Sequence, residues 1–265
     1  MKLDGVFAGG GVKAYSFIGA LEVIEERGFQ FKRLAGTSAG ALVAALIQAG
    51  YNSHELYQLL DEMKLEDFKD ERMSLLPFAI GRWLNLYFRL GLYKGDKLEE
   101  WLKKSLEKKG ISTFADLPPK SLRIVASDLS KGRIVVWPDH LKDYGIIPER
   151  FSVARAVRMS CSIPFFFEPV KIYDRMSGLS KSYIVDGGVL SNFPMWLFIN
   201  KNTKKCQRPV LGFQLTPQIN HIPPHNIRNA FTMYKALFET MSTAHDTRYI
   251  EEEHAKNIVF IPSEM

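Results

Sequence analysis

A single serine, Ser38, stands between two glycines in the sequence GTSAG, residues 36–40. The segment before it, residues 29–35, has the apolar pattern of a strand, and residues 39–49 have the pattern of a buried helix. A serine in a sharp strand-to-helix turn is typical of a nucleophile elbow, in which small neighbours let the backbone turn and present the hydroxyl. The pattern therefore predicts a nucleophilic serine, and the alternative is a tight turn whose serine caps the helix.

Three successive glycines, Gly9, Gly10 and Gly11, end the first predicted strand and precede a helical pattern over residues 14–27. Glycines at such a junction present backbone N–H groups that can hold an anion. The loop is not the phosphate-binding P-loop of a nucleotide site, because the Gly-Lys-Ser/Thr ending is missing. It also does not fit a dinucleotide site, because the acidic residue that would bind the ribose is missing after the second strand. The remaining anion is the oxyanion of acyl transfer, because adjacent strands would bring Ser38 beside this loop; a plain glycine turn is the alternative.

A serine nucleophile needs a base within hydrogen-bond reach. None of the histidines follows a late strand; they are His54, His140, His221, His225, His245 and His254. Asp186, in contrast, stands at the exit of the strand-like segment 182–188 and is followed by two glycines. A carboxylate at the carboxyl edge of a sheet lies where sites form in α/β proteins, although Asp-Gly-Gly is also a common turn.

The elements that would position these residues alternate along the chain. Strands are predicted at residues 3–8, 29–35, 122–126, 132–138, 182–188, 209–215 and 257–262. Helices are predicted at residues 14–27, 39–49, 54–64, 152–160 and 226–254. Ser53 is expected to cap the third of these helices. The alternation predicts one domain over residues 1–265, a three-layer α/β/α sandwich with a mostly parallel central sheet.

An apolar segment at about residues 66–94 interrupts this pattern. Residues 73–93 carry five aromatic side chains, and their only charges, Arg82 and Arg89, are seven positions apart and share a helix face. One interpretation is a helical insertion that packs on the core. The other is an interfacial helix or lid that contacts lipid while its arginines extend to the water.

Composition narrows the function classes. The net charge of +6 is too small for a dedicated nucleic-acid binder, so no nucleic-acid partner is expected. The two cysteines, Cys161 and Cys206, form neither a disulfide framework nor a metal-ligand pattern. The N-terminal residues 1–21 do not have the pattern of a signal peptide, and no segment reaches about 18 uncharged apolar residues. We expect a cytoplasmic protein with at most peripheral contact with the inner face of the membrane.

Three of these segments together resemble the signature of the patatin-like phospholipases, whose hallmarks are G-G-G-x-[RK], G-x-S-x-G and a late D-G-[GA]. The corresponding segments here are Gly9-Gly10-Gly11-Val12-Lys13, Gly36-Thr37-Ser38-Ala39-Gly40 and Asp186-Gly187-Gly188. The resemblance runs from residue 3 to about residue 262, and residues 154–170 also look like the family's segment before the strand that carries the aspartate. Lys13 replaces the more frequent arginine, and Ala14 stands where glycine is usual.

The resemblance implies a patatin-like fold and a Ser–Asp dyad that works without histidine, cofactor or metal. Ser38 would attack an ester carbonyl, and Asp186 would accept its proton and later activate water. The amides of Gly9, Gly10 and Gly11 would hold the oxyanion. Lys13 would support this loop. The glycines expected to support the two turns are Gly36, Gly40, Gly187 and Gly188.

The implied substrate is a phospholipid or another acyl ester, as for a phospholipase A or lysophospholipase. A soluble acyl-ester or thioester hydrolase would use the same dyad. A catalytically silent lipid-binding protein of the same fold is a second alternative, against which the intact Ser38 and Asp186 argue. A nucleotide-binding oxidoreductase leaves both residues unexplained. The sequence predicts no particular oligomeric state.

Overall fold

The computed structural model describes residues 1–70, 86–173, 181–199, 206–216 and 256–262, together with 227–229, 232–233, 236–237 and 240. Most of the helix predicted at 226–254 and the first part of the apolar segment, residues 73–85, lie outside the described residues. The described end of that segment is a helical turn at 86–89 followed by a short strand. The expectation of a helical segment is therefore wrong for its last residues, Gly91–Tyr93.

The central feature is an eight-stranded mixed sheet in the order β10-β9-β1-β2-β4-β8-β7, with β5 also paired to β4. Its strands are β1 (Lys2–Phe7), β2 (Gln30–Thr37), β4 (Leu122–Asp128), β5 (Arg133–Trp137), β7 (Val170–Ile172), β8 (Ser182–Asp186), β9 (Val210–Thr216) and β10 (Ile258–Pro262). Strands β10, β9, β1, β2 and β4 are parallel, whereas β5, β7 and β8 pair in the antiparallel sense. A separate two-stranded sheet joins β3 (Gly91–Tyr93) to β6 (Phe165–Phe167).

Four of the five α-helices described below lie where the sequence predicts them, and the helix Asp96–Glu107 was not predicted. The five helices are α1 (Ser16–Glu26), α2 (Ala39–Gln48), α3 (Ser53–Asp61), α4 (Asp96–Glu107) and α5 (Val153–Ser160). The expectation for the cap of α3 is wrong by one residue. Asn52 caps this helix, because its side chain accepts the Glu55 N–H at 2.8 Å while the Glu55 carboxylate accepts the Asn52 N–H at 3.1 Å. The Ser53 hydroxyl instead donates to Glu25 at 2.5 Å.

Alternate residues of the strands divide the core into two apolar clusters on opposite faces of the sheet. Phe7 and Leu34 join the cluster that contains the apolar residues of all five helices. Their neighbours Val6 and Ala35 join a second cluster with Phe193 and other residues near the short helical turn Met195–Leu197. This is the predicted three-layer arrangement around a mostly parallel sheet.

Strands β2 and β8 meet end to end along a single edge of β4. Strand β5 occupies one edge of β4 from Ile124 to Asp128. The other edge pairs with β2 up to Thr37, opposite Val125, and with β8 from Asp186, opposite Ala126. The carboxyl end of the parallel strand β2 therefore faces the carboxyl end of the antiparallel strand β8. Thr37 cannot be followed by another strand residue, so the chain must leave the sheet there.

The turn from β2 into α2 depends on two glycines. A Cβ at Gly36 would overlap the Gly40 carbonyl group, and a Cβ at Gly40 would overlap the carbonyl oxygens of Phe7 and Ala8. Both obstacles are backbone, which cannot rotate away as a side chain can. The glycines thus let α2 start directly over the ends of β1 and β2.

Replacing Gly36 by alanine is expected to destabilise the fold by about 1–3 kcal/mol or more, because the added methyl group forces the backbone of α2 to move. Chemical denaturation measures this change. Gly19→Ala is the matched control: Gly19 lies within α1, where a Cβ would meet nothing within 4 Å. We expect that substitution to be neutral or to stabilise by about 0.5–1 kcal/mol. Equal effects of the two substitutions would contradict the close packing of this turn.

Candidate active site

Ser38 lies in the turn between β2 and α2, with a backbone φ of 54° and ψ of −127°. A positive φ is unfavourable for a residue with a side chain, and such strain persists only where the surrounding structure enforces it. Here it directs the side chain away from the helix that follows. The Ser38 hydroxyl donates a hydrogen bond to Oδ2 of Asp186 at 2.6 Å.

Asp186 is the last residue of β8 and is only 1% exposed. Its second carboxylate oxygen, Oδ1, accepts the Gly188 N–H at 2.7 Å. Burial raises the pKa of Asp186 to about 7, and the hydrogen bonds from Ser38 and Gly188 oppose that rise. A carboxylate with a pKa near 7 can accept a proton from a neighbouring hydroxyl more readily than an ordinary carboxylate can.

The carboxyl end of α5 holds both residues through bonds that the sequence did not predict. Ser160 is fully buried, and its Oγ accepts the Ser38 N–H at 2.8 Å and donates to the Val125 carbonyl at 2.5 Å. Two residues later, the Ser162 carbonyl accepts the Asp186 N–H at 2.9 Å. The only signal in the sequence was a pair of serines at the end of a predicted helix, separated from the strand that carries Asp186 by β6 and β7.

Arg158, on the same helix, anchors this end of α5. Its buried guanidinium donates to the carbonyls of Gly95 at 2.8 Å and of Glu168 at 3.0 Å, and to the Ser162 hydroxyl at 2.5 Å. The helix end that holds Ser38 and Asp186 is therefore tied to the segments that flank the small β3–β6 sheet.

The glycine loop lies beside the serine, as expected from the adjacent strands β1 and β2. A Cβ at Gly9 would lie 3.3 Å from Cβ of Ser38 and would overlap the Asn192 side chain. We expected the amides of all three loop glycines to hold the oxyanion. This expectation is wrong for Gly9, because its N–H already donates to the Asn192 carbonyl at 3.0 Å. Within the described residues, the amides of Gly10 and Gly11 have no acceptor in the protein.

The other expected support residues occupy turns around this centre. A Cβ at Gly187 would overlap the Val125 carbonyl oxygen and lie 2.8 Å from the Thr37 methyl group. Thr37 in turn donates from its hydroxyl to the Ser191 carbonyl at 3.0 Å. Lys13 lies half-buried in the short helical turn Gly11–Tyr15, which follows the glycine loop.

Two of the six histidines and the buried Cys161 lie within the described residues. His140 accepts the Val136 N–H through Nδ1 at 3.0 Å, and His54 lies against Gln58 at 3.0 Å on α3. The other four histidines lie outside the described residues. Cys161 interacts with both Ser38 and Asp186, but burial raises the pKa of its thiol, so it stays protonated.

The described part of the chain offers neither a metal site nor a membrane-spanning helix. Among these residues, no group of three or more His, Cys, Asp or Glu side chains could hold a metal ion. None of the helices described is both long enough and apolar enough to span a bilayer.

Comparison with known proteins places the chain in a family. A family model described as "Patatin-like phospholipase" matches residues 5–199. The uncharacterized protein YqhO of Bacillus subtilis is 52% identical over 262 residues, which cover 99% of this chain and 88% of that protein. A probable lipid hydrolase of Invertebrate iridescent virus 6 is 23% identical over 209 residues. These residues cover 77% of this chain and 65% of the viral protein.

A solved structure shows the same fold. The complex of full-length SpcU with full-length ExoU, from the type III secretion system of Pseudomonas aeruginosa, aligns with 98% of this chain at a TM-score of 0.56 and 18% identity. The chain spans about half of that protein, 48%. With the family model matching most of its length and a relative that shares half of its residues, the chain belongs to the patatin-like phospholipase family.

Proposed function

We propose that this protein is a lipid acyl hydrolase in which Ser38 is the nucleophile and Asp186 is the general base. The observation that carries the proposal is the hydrogen bond of 2.6 Å from the Ser38 hydroxyl to a buried carboxylate at a strained strand-to-helix turn. Membership of the patatin-like phospholipase family and similarity to a probable lipid hydrolase support lipid esters as the substrate class.

In the first half of the reaction, Oγ of Ser38 attacks the carbonyl carbon of the ester while its proton passes to Oδ2 of Asp186. The tetrahedral intermediate then collapses, the bond to the leaving alcohol breaks, and the alcohol takes the proton from Asp186. In the second half, Asp186 accepts a proton from water as the water oxygen attacks the acylated serine. The second tetrahedral intermediate formed in this way breaks down, the bond from the acyl carbon to Oγ of Ser38 breaks, and Asp186 returns its proton to Oγ, which releases the fatty acid and restores the Ser38 hydroxyl.

The oxyanion would be stabilised by backbone amides at two adjacent turns. The amides of Gly10 and Gly11 belong to the glycine loop, and that of Ala39 follows the nucleophile in the manner of other elbow serines. The first helical N–H groups of α2 also have no partner within the helix. Each such donor is typically worth about 2.7–4 kcal/mol of transition-state stabilisation.

Ser160 would position the nucleophile rather than react. By accepting the Ser38 N–H, it stabilises the strained backbone that aims the hydroxyl at Asp186. Its own hydroxyl proton is directed to the Val125 carbonyl, so its oxygen lone pair is left to accept the amide.

The proposed substrate is a phospholipid or another lipid ester at a membrane surface. Tyr87 and Phe88 are 69% and 70% exposed and contact each other edge to face, which supports peripheral contact with the membrane. The proposal includes a cytoplasmic location at the inner face of the membrane and a single catalytic domain. A soluble acyl ester or thioester would react by the same steps. The contact between Ser38 and Asp186 argues against a silent lipid-binding protein, which would have no need of it.

Ser38→Ala and Asp186→Asn are each expected to lower ester hydrolysis by at least about a thousandfold, because each removes one partner of the proton transfer. Hydrolysis of a soluble short-chain ester and labelling by a fluorophosphonate probe measure this loss, with circular dichroism to verify folding. The label should map to Ser38. Comparable turnover by either folded variant would exclude the dyad.

Activity is expected to depend on the protonation of Asp186. Only the ionised carboxylate accepts a proton, and its pKa is raised to about 7. The value of kcat/KM should therefore rise about tenfold per pH unit below pH 7 and level off above it. Because folding raises this carboxyl pKa from 3.8, the group's contribution to stability should decrease as pH rises between these values. If kcat/KM did not change between pH 5 and pH 8, Asp186 would be ruled out as the base.

Ser160→Ala should slow fluorophosphonate labelling by at least about tenfold, since it leaves the buried Ser38 N–H without an acceptor. We expect kcat for a soluble ester to fall while KM changes little. Ser105→Ala is the matched control, because Ser105 is a buried serine on α4 whose hydroxyl donates to the Trp101 carbonyl at 2.9 Å. If both variants lost labelling equally, the effect would be one of general stability and not of positioning.

A further inference from the structure

A cavity of about 480 Å³ lies away from Ser38 and Asp186, among the loop 145–151, helix α5 and the end of β7. Its volume falls within the range of about 300–1,000 Å³ that is typical of small-molecule sites. Helix α5 contributes Arg155 and Met159, which are four positions apart and therefore share a helix face. Neither Ser38 nor Asp186 lines this cavity, so it is a separate site.

Much of the cavity lining is apolar. Met159 and Ile172 are 1% and 4% exposed and belong to the main core cluster, against which Ile146 and Phe151 also pack. Ile147, which also lines the cavity, is 54% exposed. An apolar lining that includes an exposed isoleucine provides a surface for a hydrocarbon chain.

The charged residues that line the same cavity are all cationic, namely Arg150, Arg155 and Lys171. Arg155 is paired with Glu99 at 2.9 Å. Arg150 has no ion pair or hydrogen bond from its side chain within the described residues. The Lys171 ammonium lies 5.6 Å from the centre of the Tyr183 ring. Among the described residues, one carboxylate therefore compensates three positive charges, which leaves the described lining with an excess of positive charge.

We propose that this cavity binds an anionic amphiphile with a single hydrocarbon chain, whose carboxylate or phosphate head is held by Arg150 and Lys171. Arginine donates two parallel hydrogen bonds to carboxylate or phosphate, and lysine adds a compact charge. The chain packs on Met159, Ile172 and the neighbouring apolar residues. A neutral amphiphile would leave both cations uncompensated.

The site does not depend on the proposed hydrolytic reaction, although the two are linked through α5. Met159 lines the cavity, and the next residue, Ser160, holds the Ser38 amide. The head group has two natural sources of the same chemistry, a released fatty acid and the phosphate of a lipid. Dodecanoate and dodecyl phosphate represent these two sources with an identical chain.

Isothermal titration calorimetry on the Ser38→Ala protein tests the proposal below the critical micelle concentration of each amphiphile, because loss of the nucleophile separates binding from turnover. Dodecanoate or dodecyl phosphate is expected to bind, and dodecyl maltoside is expected not to. A preference for dodecanoate identifies a fatty-acid site, and a preference for dodecyl phosphate identifies a lipid-phosphate site. Equal binding of the neutral maltoside, or no binding of either anion, would overturn the proposal.

When Arg150→Gln and Lys171→Gln are both added to the Ser38→Ala protein, binding of the anion should weaken by at least about tenfold, because the charge-assisted hydrogen bonds to its head group are lost. Lys103→Gln with Lys104→Gln changes the net charge equally on exposed positions of α4, at 61% and 68% side-chain exposure, and should leave binding unchanged. Equal losses would mean that general charge, and not this cavity, attracts the anion. With Ser38 restored, the Arg150 and Lys171 variant should keep its fluorophosphonate labelling, so that failure of the dyad and failure of this site are distinguished.

Discussion

Strands β2 and β8 end against each other on one edge of β4, with Thr37 and Asp186 opposite consecutive residues of that strand. Neither strand can extend further without displacing the other. The chain after Thr37 therefore has to turn sharply into α2, and the chain after Asp186 has to turn through Gly187. The first residue after β2, Ser38, and the last residue of β8, Asp186, therefore lie beside each other at this edge of β4. The hydrogen bond of 2.6 Å between Ser38 and Asp186 follows from this arrangement.

The same arrangement takes a carboxylate out of water, and hydrogen bonds from neighbouring groups compensate for part of that cost. Asp186 is 1% exposed and receives hydrogen bonds from the Ser38 hydroxyl and the Gly188 amide. These two bonds stabilise the ionised form, yet burial still raises the pKa of the group to about 7. A general base is most effective with a pKa near the working pH, so incomplete compensation favours the proposed chemistry.

Helix α5 connects the centre to the rest of the molecule. Ser160 at its end holds the Ser38 amide, and the buried Arg158 joins the helix to Gly95 and Glu168 on the segments beside the small sheet. Its other face, with Arg155 and Met159, lines the cationic cavity. A shift of this helix end would therefore act on Ser38 through its hydrogen bond to Ser160 and on Asp186 through its hydrogen bond to the Ser162 carbonyl.

The fold class, the family and the identity of the two residues that the structure brings into contact could all be predicted from the sequence. Local steric requirements leave a mark in the sequence, because a turn with no room for a Cβ requires glycine, as at Gly36 and Gly187. Which distant groups bond to each other depends on the tertiary structure. Ser38 and Asp186 are 148 positions apart, and the engagement of the Gly9 amide and the role of Ser160 depend on strand order and helix placement. A serine that accepts a long-range hydrogen bond has the same local pattern as any other serine, so the sequence carries no periodicity that could reveal it.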